Sequence, residues 1–232
     1  MPQKGYKFVG KGIYSIAEAS RLIRVSKPRI SRWLRGYSYL YKSEEQHQRR
    51  IIISEFEPVD NSYALSFLDL IEMRFIDSFR RHGISLKTIR IASVKAREML
   101  DWSHPFSTKK FKTDGKTILV EIAHQERDPD LLDLIKDQYT LRKILSPYLY
   151  EGLDFEGDVG VLRWWPMAPK KRIVIDPARN FGAPILNNYG VPTATIASSV
   201  KAEGSIKAAA DLYQIDARAA KDALDYEMQL AA

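Results

Sequence analysis

Between positions 26 and 35 the chain reads S-K-P-R-I-S-R-W-L-R, placing four cations and two hydroxyls within ten residues. Side chains of this kind suit one chemistry. Guanidinium forks bind phosphates and the acceptor edge of guanine, and ammonium groups act as point charges on a sugar-phosphate backbone. At about 100° per residue, Ile30, Trp33 and Leu34 fall within one arc, and Lys27, Arg29, Ser31, Arg32 and Arg35 take the rest of the circumference. The segment therefore reads as a helix with one apolar and one cationic face, the form that enters a major groove. Ser26, Lys27, Arg29, Ser31, Arg32 and Arg35 are the candidate DNA contacts. The plainer alternative is a solvated face on an ordinary two-helix hairpin.

Bond-making chemistry has little to build on. The absence of cysteine removes disulfides, thiolate metal sites and thiol nucleophiles. His47, His82, His104 and His124 lack metal-ligand spacing, no G-x-S-x-G occurs, and no P-loop or dinucleotide fingerprint is present. The reading is of a non-enzyme with no catalytic residue, no metal and no cofactor.

The cationic helix needs a scaffold, and the flanking residues supply one. Ser15 and Glu18 form a capping box that starts a helix at Ser15, with Ile16, Ala19, Leu22 and Ile23 at helical spacing. Arg24-Val25 interrupts the run before a second cap at Ser26, where Pro28 is tolerated in the first turn. Two short helices joined by a tight turn result. Next, Y-S-Y-L-Y and R-I-I-I-S-E-F flank the polar stretch K-S-E-E-Q-H-Q-R, predicting a hairpin whose loop would act as a wing. Its candidate DNA contacts are Lys42, His47, Gln48, Arg49 and Arg50, although Glu44 and Glu45 argue against every loop residue touching DNA. A hairpin that only closes the core is the alternative. Ser66 and Ser85 then cap two further helices, the first ending at Gly83, the second burying Leu86, Ile89, Ile91, Val94 and Leu100. Arg80, Arg81, Lys87 and Arg90 in this block could bind phosphate, but basic and acidic residues balance there and the four read as solvated.

Charge follows the same division. The chain carries 36 Lys/Arg and 29 Asp/Glu, a net +7. Residues 1–50 hold 12 of the former and 3 of the latter, a net +9, so residues 51–232 carry −2. A basic N-terminal module on a near-neutral body is implied, not a uniformly basic coat. With 45% hydrophobic residues the chain can form packed cores. No apolar run reaches the length of a membrane span and no h-region follows the N-terminus, so a soluble, cytoplasmic protein is expected.

Further along, Asp114-Gly115 predicts a tight hairpin, with Ile118, Leu119, Val120 and Ile122 in its second strand. A helix follows Asp128-Pro129-Asp130, running to about Leu145 and ended by Pro147. L-D-F-E-G-D-V-G-V-L-R-W-W-P reads as another hairpin. Trp164 and Trp165 either join a core or anchor a partner, and M-A-P-K-K-R-I looks like a linker. Helices are predicted over 193–201, 205–213 and 216–229; Ile206, Ala209, Ala210, Leu212 and Tyr213 form the apolar face of the second, and Asp216 caps the third. The expected organisation is a winged helix-turn-helix over 1–104, a hairpin and helix connecting region over 105–168, and a C-terminal helical domain over 169–232. The fold class is mainly α with short β-hairpins (α+β).

S-I-A-E-A-S-R-L-I-R-V-S-K-P-R-I-S-R-W-L resembles the MerR-type winged helix-turn-helix, over about residues 13–56. The C-terminal part, with I-D-P-A-R-N-F-G-A-P-I-L, G-V-P-T, G-S-I-K-A-A-A and A-L-D-Y-E, resembles a small domain found widely in antitoxins. It departs from that pattern at Gly190, where many relatives carry arginine. In this order the two modules resemble VapB-type antitoxins of type II toxin-antitoxin pairs. That resemblance implies a PIN-like ribonuclease toxin as partner, a homodimer or a toxin-antitoxin hetero-oligomer, and a repressor that binds double-stranded operator DNA of its own operon. PIN nucleases hold metal ions with clustered carboxylates, so Arg163, Lys170, Lys171 and Arg172 beside Trp164 and Trp165 are the candidate toxin contacts. The alternative is a MerR-type, effector-responsive transcriptional regulator without a toxin, a class that commonly dimerises through a long coiled coil. No sustained heptad is visible.

Overall fold

The structure, a computed structural model, describes residues 10–41, 44–48, 50–60, 62–137, 141, 147–157 and 160–231. It is mainly helical with two-stranded sheets, an α+β fold. The chain forms two compact units, one of residues 15–150 and 155–161, the other of 1–14, 151–154 and 162–232.

The first unit opens with β1 (Tyr14–Ser15, shared with the other unit), α1 (Ile16–Ile23) and α2 (Lys27–Arg35). The predicted capping box is present: the Glu18 amide donates to Ser15 Oγ at 3.2 Å, and the Ser15 amide to Glu18 Oε2 at 2.8 Å. Arg24 ends α1 in the left-handed region (φ 55°). The hairpin is β2 (Tyr37–Tyr41) with β3 (Glu44–Gln48), antiparallel in the register Tyr37↔Gln48 to Tyr41↔Glu44. Its second strand is thus the polar stretch that the sequence assigned to the loop. Ile51 and Ile52, predicted as strand, are buried instead. Burial of the two isoleucines wins over their strand propensity, which is weak and context-dependent.

After β4 (Ala64–Leu65), α3 (Phe67–Arg81) and α4 (Leu86–Leu100) carry the predicted serine caps. Ser66 and Asp69 form a full capping box, and Gly83 follows the end of α3 at φ 86°. Phe67, Leu70, Ile71, Phe75 and Ile76 are fully buried. On α4 the buried line is Thr88, Ile89, Ala92, Ser93 and Ala96, and Val94 is exposed. Apart from Ile89, the larger aliphatics are less buried there than the small residues, which let α4 lie close to its neighbours.

The hairpin predicted at Asp114-Gly115 does not form. α5 (Lys109–Glu126) runs straight through it, opened by Thr108, whose hydroxyl accepts from the Phe111 amide at 3.0 Å. Phe111, Gly115, Ile118, Leu119, Ile122 and Ala123 are its buried face. Their spacing of three and four decides the conformation, overriding a two-residue turn signal and the roughly 1 kcal/mol that an internal glycine costs. α6 (Pro129–Lys136) is capped by Asp128 as expected. Its predicted continuation to Leu145 falls mostly outside the described residues. Pro147 begins the short helix Pro147–Tyr150 where the sequence had it ending one. Phe106 links α3 to α5, with ring centroids 5.1 Å from Phe79 and 4.9 Å from Phe111.

The hairpin of β5 (Leu153–Phe155) and β6 (Val161–Trp164) is present. In the second unit β7 (Ile173–Val174) pairs antiparallel with β8 (Ile185–Leu186), and Trp164 bridges to Ile175. Helices Thr193–Glu203, Ile206–Leu212 and Ala217–Ala231 complete it. Ile173, Ile196, Ala209, Ala220, Ala223 and Tyr226 fill their common core. Leu212, predicted on the buried face, is exposed. Asp216 caps the last helix, accepting from the Ala219 amide at 2.7 Å. The stretch read as a linker is built into this unit: Met167 packs on the helical core, and Ala168 on Trp165, Val174 and Ile185.

Candidate nucleic-acid interface

α2 is held from one side only. Ile30, Trp33 and Leu34 are almost fully buried, together with Ala19, Leu22 and Ile23 of α1 and Val25 of the turn. Lys27, Arg29, Arg32 and Arg35 are exposed on the remaining circumference, and Ser31 is half-buried between them. The structure therefore brings the predicted contacts of the second helix onto one cationic face. Ser26 sits at the N-cap, but its side chain makes no capping bond; its carbonyl accepts from the Arg29 amide at 2.9 Å. An exposed, uncommitted serine at a helix start is a donor for phosphate.

Two of the arginines have partners on the unit itself. Arg29 Nη1 lies 3.0 Å from Asp77 Oδ1 of α3, and Arg35 stacks 5.2 Å from the Tyr63 ring centroid. Sequence reasoning missed Asp77 and Tyr63. Asp77 could have been found as a carboxylate on the apolar side of α3, where a buried acid needs a cation.

The hairpin is anchored where α2 ends. Gly36 follows the helix at φ 74°, ψ −171°, a backbone region open in practice to glycine alone. The chain leaves there into β2, and on its return both the Ile51 and Ile52 amides donate to the Trp33 carbonyl, at 2.9 and 3.2 Å. Arg97 of α4 donates to the Ile51 carbonyl at 3.1 Å. Of the wing candidates, His47 and Gln48 lie on β3 opposite Ser38 and Tyr37, and Arg50 is exposed just after it. Lys42 and Arg49 lie outside the described residues.

Beneath this surface α3 carries buried acids. Asp69 Oδ1 is 2.8 Å from His104 Nε2, and Asp69 Oδ2 accepts from the Ser66 amide and the Ser54 hydroxyl. Burial works against a charge on His104, but the hydrogen bond and charge of Asp69, with the charges of Glu72 and Glu55, together outweigh it and raise the pKa. Glu72 is fully buried, and burial pushes its carboxyl up to about 7 despite the neighbouring His104 and Arg97. Among the described residues no group of three or more His, Asp or Glu is placed to hold a metal ion, and no helix is long and apolar enough to cross a membrane.

The second set of candidates lies in the other unit. Trp164 and Trp165 are 7% and 4% exposed, so both belong to the core and neither is a surface anchor. Trp165 donates its indole N–H to Asp154 at 2.8 Å. Arg163 and Lys171 both reach the same carboxylate, at 3.4 and 3.3 Å, and both lie over the Trp165 ring. The Gly152 backbone (φ 73°) passes so close that a Cβ there would lie 2.3 Å from the Trp165 carbonyl oxygen. Arg172 is paired with Asp222, and Lys170 is exposed. Gly190 has a guanidinium beside it, that of Arg179, which donates to Asn187.

Comparison with known proteins bears on both surfaces. The family described as "Putative DNA-binding HTH domain" matches residues 12–93, the span that holds α1, α2, the hairpin and α3. A Mycobacterium tuberculosis protein named "Putative antitoxin VapB45" is 26% identical over 228 residues, covering 92% of each chain. Over nearly its whole length the chain is thus similar to a protein named as a putative antitoxin. The X-ray crystal structure of Rv2018, also from M. tuberculosis, superposes with a TM-score of 0.68 at 25% identity, over 91% of this chain and 96% of that one. The antitoxin relative thus spans the N-terminal helix-turn-helix and the C-terminal helical unit together.

Proposed function

We propose that the protein is the DNA-binding antitoxin of a toxin-antitoxin pair, with a PIN-like ribonuclease as its toxin, and that it represses its own operon. The observation that carries the DNA half is the α2 surface: Lys27, Arg29, Arg32 and Arg35 exposed on one side of a short helix whose other side is core. A helix so placed, followed by a hairpin anchored at its end, suits insertion into a major groove with the hairpin against the flanking backbone. Ser26, Ser31, Lys42, His47, Gln48, Arg49 and Arg50 are the accompanying contacts. The complex would form as a homodimer or a hetero-oligomer with the toxin, in the cytoplasm.

The toxin half rests on the antitoxin relative and on the cations around Asp154. Arg163, Lys170, Lys171 and Arg172 would face the acidic metal-binding cluster of the nuclease; Trp164 and Trp165 support them from within. An organism making both proteins supplies the test. Co-expression with the product of the neighbouring gene should give a complex that co-purifies, suppresses ribonuclease activity and shifts the promoter fragment. A chain that purifies alone and binds a small effector would mark an effector-responsive regulator and overturn this reading.

A further inference from the structure

Asp77 is a carboxylate of α3 that meets the proposed recognition helix. It is 7% exposed, and each of its oxygens holds a different arginine: Oδ1 is 3.0 Å from Arg29 Nη1 of α2, and Oδ2 is 2.5 Å from Arg81 Nε of α3. The arginines themselves are 52% and 60% exposed. The carboxylate is thus hidden beneath two guanidiniums that face solvent, and the trio keeps a net positive charge. A guanidinium has five N–H donors, far more than one oxygen can take, so each retains donors for a second anion. Beside the trio lies a cleft of roughly 130 Å³ lined by Ile23, Arg74, Asp77, Ser78, Arg81 and Leu149. Ile23 is the last residue of α1, so the cleft lies next to the turn that leads into α2.

We propose that Arg29 and Arg81, held by Asp77, form a clamp for one backbone phosphate of the duplex that α2 engages, with Asp77 as its positioning residue. The proposal rests on the DNA-binding reading above and adds two residues to it: Arg81, which the sequence alone places among solvated charges, and Asp77, an anion whose contribution to binding polyanionic DNA is favourable. A guanidinium already fixed in orientation loses little side-chain freedom when phosphate arrives, and its fork matches two phosphate oxygens. Because both arginines are tethered to α3, the clamp sets the register of α2 on the backbone and carries no base preference.

Fluorescence anisotropy with a short random-sequence DNA duplex, titrated with salt, tests it on the full-length protein. Each phosphate contact contributes about 0.9 to the slope of log K against log salt, so Arg81→Ala should lose that amount and weaken binding roughly five- to tenfold at 0.1 M salt. Arg81→Lys should keep the slope and lose affinity, since it keeps the charge without the fork. Asp77→Asn separates the clamp from plain electrostatics. It adds one net positive charge, so loose cations would bind DNA more tightly, whereas the clamp predicts weaker binding. Should Asp77→Asn fail to fold, the contrast between Arg81→Ala and Arg81→Lys still decides. Tighter binding by Asp77→Asn, or an unchanged slope in Arg81→Ala beside a reduced slope in Arg32→Ala, overturns the clamp alone. If Arg32→Ala and Arg81→Ala both bind like the parent, the recognition-helix reading falls with it.

Discussion

Arginine and lysine cluster at two places in this molecule, and the company they keep differs. On α2, four cations share an exposed face, and Asp77 lies against one of them, Arg29. Around Trp165, Arg163 and Lys171 share Asp154, and Arg172 is matched with Asp222. The first surface presents exposed cations, which attract a polyanion in a salt-sensitive way. The second has its cations paired with Asp154 and Asp222 and organised over an aromatic ring, closer to the mix of aromatic and Arg contacts found at protein interfaces. Counting cations along the sequence cannot separate the two; what lies beneath them, a helix core in one case and the Trp165 ring in the other, does.

The largest test of that contrast removes charge from α2. Replacing Arg29, Arg32 and Arg35 together by alanine should weaken duplex binding by about 500-fold at 0.1 M salt, if each holds a phosphate. Stability should fall only modestly, because Asp77 keeps Arg81 when it loses Arg29, and the Arg35 stack on Tyr63 lies at the surface. A gel-shift series in which the triple variant binds like the parent would erase the difference between the surfaces.

The units should also respond to pH in opposite senses. Glu72 has an ordinary value of 4.5 and is held at about 7, so the folded state binds its proton more tightly than the unfolded one. Stability therefore falls as pH rises from about 4.5 to 7, by on the order of 3 kcal/mol from a shift of this size. His104, also raised, adds to the loss as pH climbs through its own range. Glu72→Gln should flatten the slope and be the more stable protein at pH 8. In the second unit, the hydrogen bond from Tyr189 lowers Asp216 below its usual range, so its contribution is present above that range and fades on acidification. Urea unfolding at several pH values, followed with probes in each unit, would show one trend where two are expected if the assignment is wrong.

Asp154→Ala comes next. It orphans the Trp165 indole N–H and two cations, and should cost about 1–3 kcal/mol, most of it from the tryptophan since the ion pairs are half in water. DNA affinity should hold while toxin inhibition drops. The smallest effect is at Ser26. With no side-chain capping bond to lose, Ser26→Ala should alter stability by less than about 0.5 kcal/mol, against roughly 1 kcal/mol for Ser15→Ala, where the capping box is made. Any loss of DNA affinity in Ser26→Ala then reports a phosphate contact.

Much of this was legible from residues close together in the chain. Ser15 with Glu18, Ser66 with Asp69, and the Ile30-Trp33-Leu34 arc each encode a local decision, and each appears as read. Failures arose where a local signal competed with a longer pattern. Asp114-Gly115 is a turn in isolation, yet Phe111, Ile118 and Ile122 make one face of a helix only if the chain runs through it. Ile51-Ile52 looks like a strand until one sees Trp33 offering its carbonyl. The partners of the candidate site were harder still. Asp77 lies 48 residues from Arg29, and nothing in a single sequence joins them. Trp164 and Trp165 showed why aromatic pairs are ambiguous: both readings predict the same residues, and only burial distinguishes them.

The Trp33 carbonyl, accepting from two successive amides, has a mechanical consequence. Where the recognition helix tips or slides, the hairpin must go with it, since the hinge between them is closed by two bonds to a single atom. On the proposed reading, such a protein would not probe a duplex with one element and then the other. Groove and flanking strand would be met at once, and a DNA site whose local bend offsets the two by a fraction of a turn would bind poorly before any base is read.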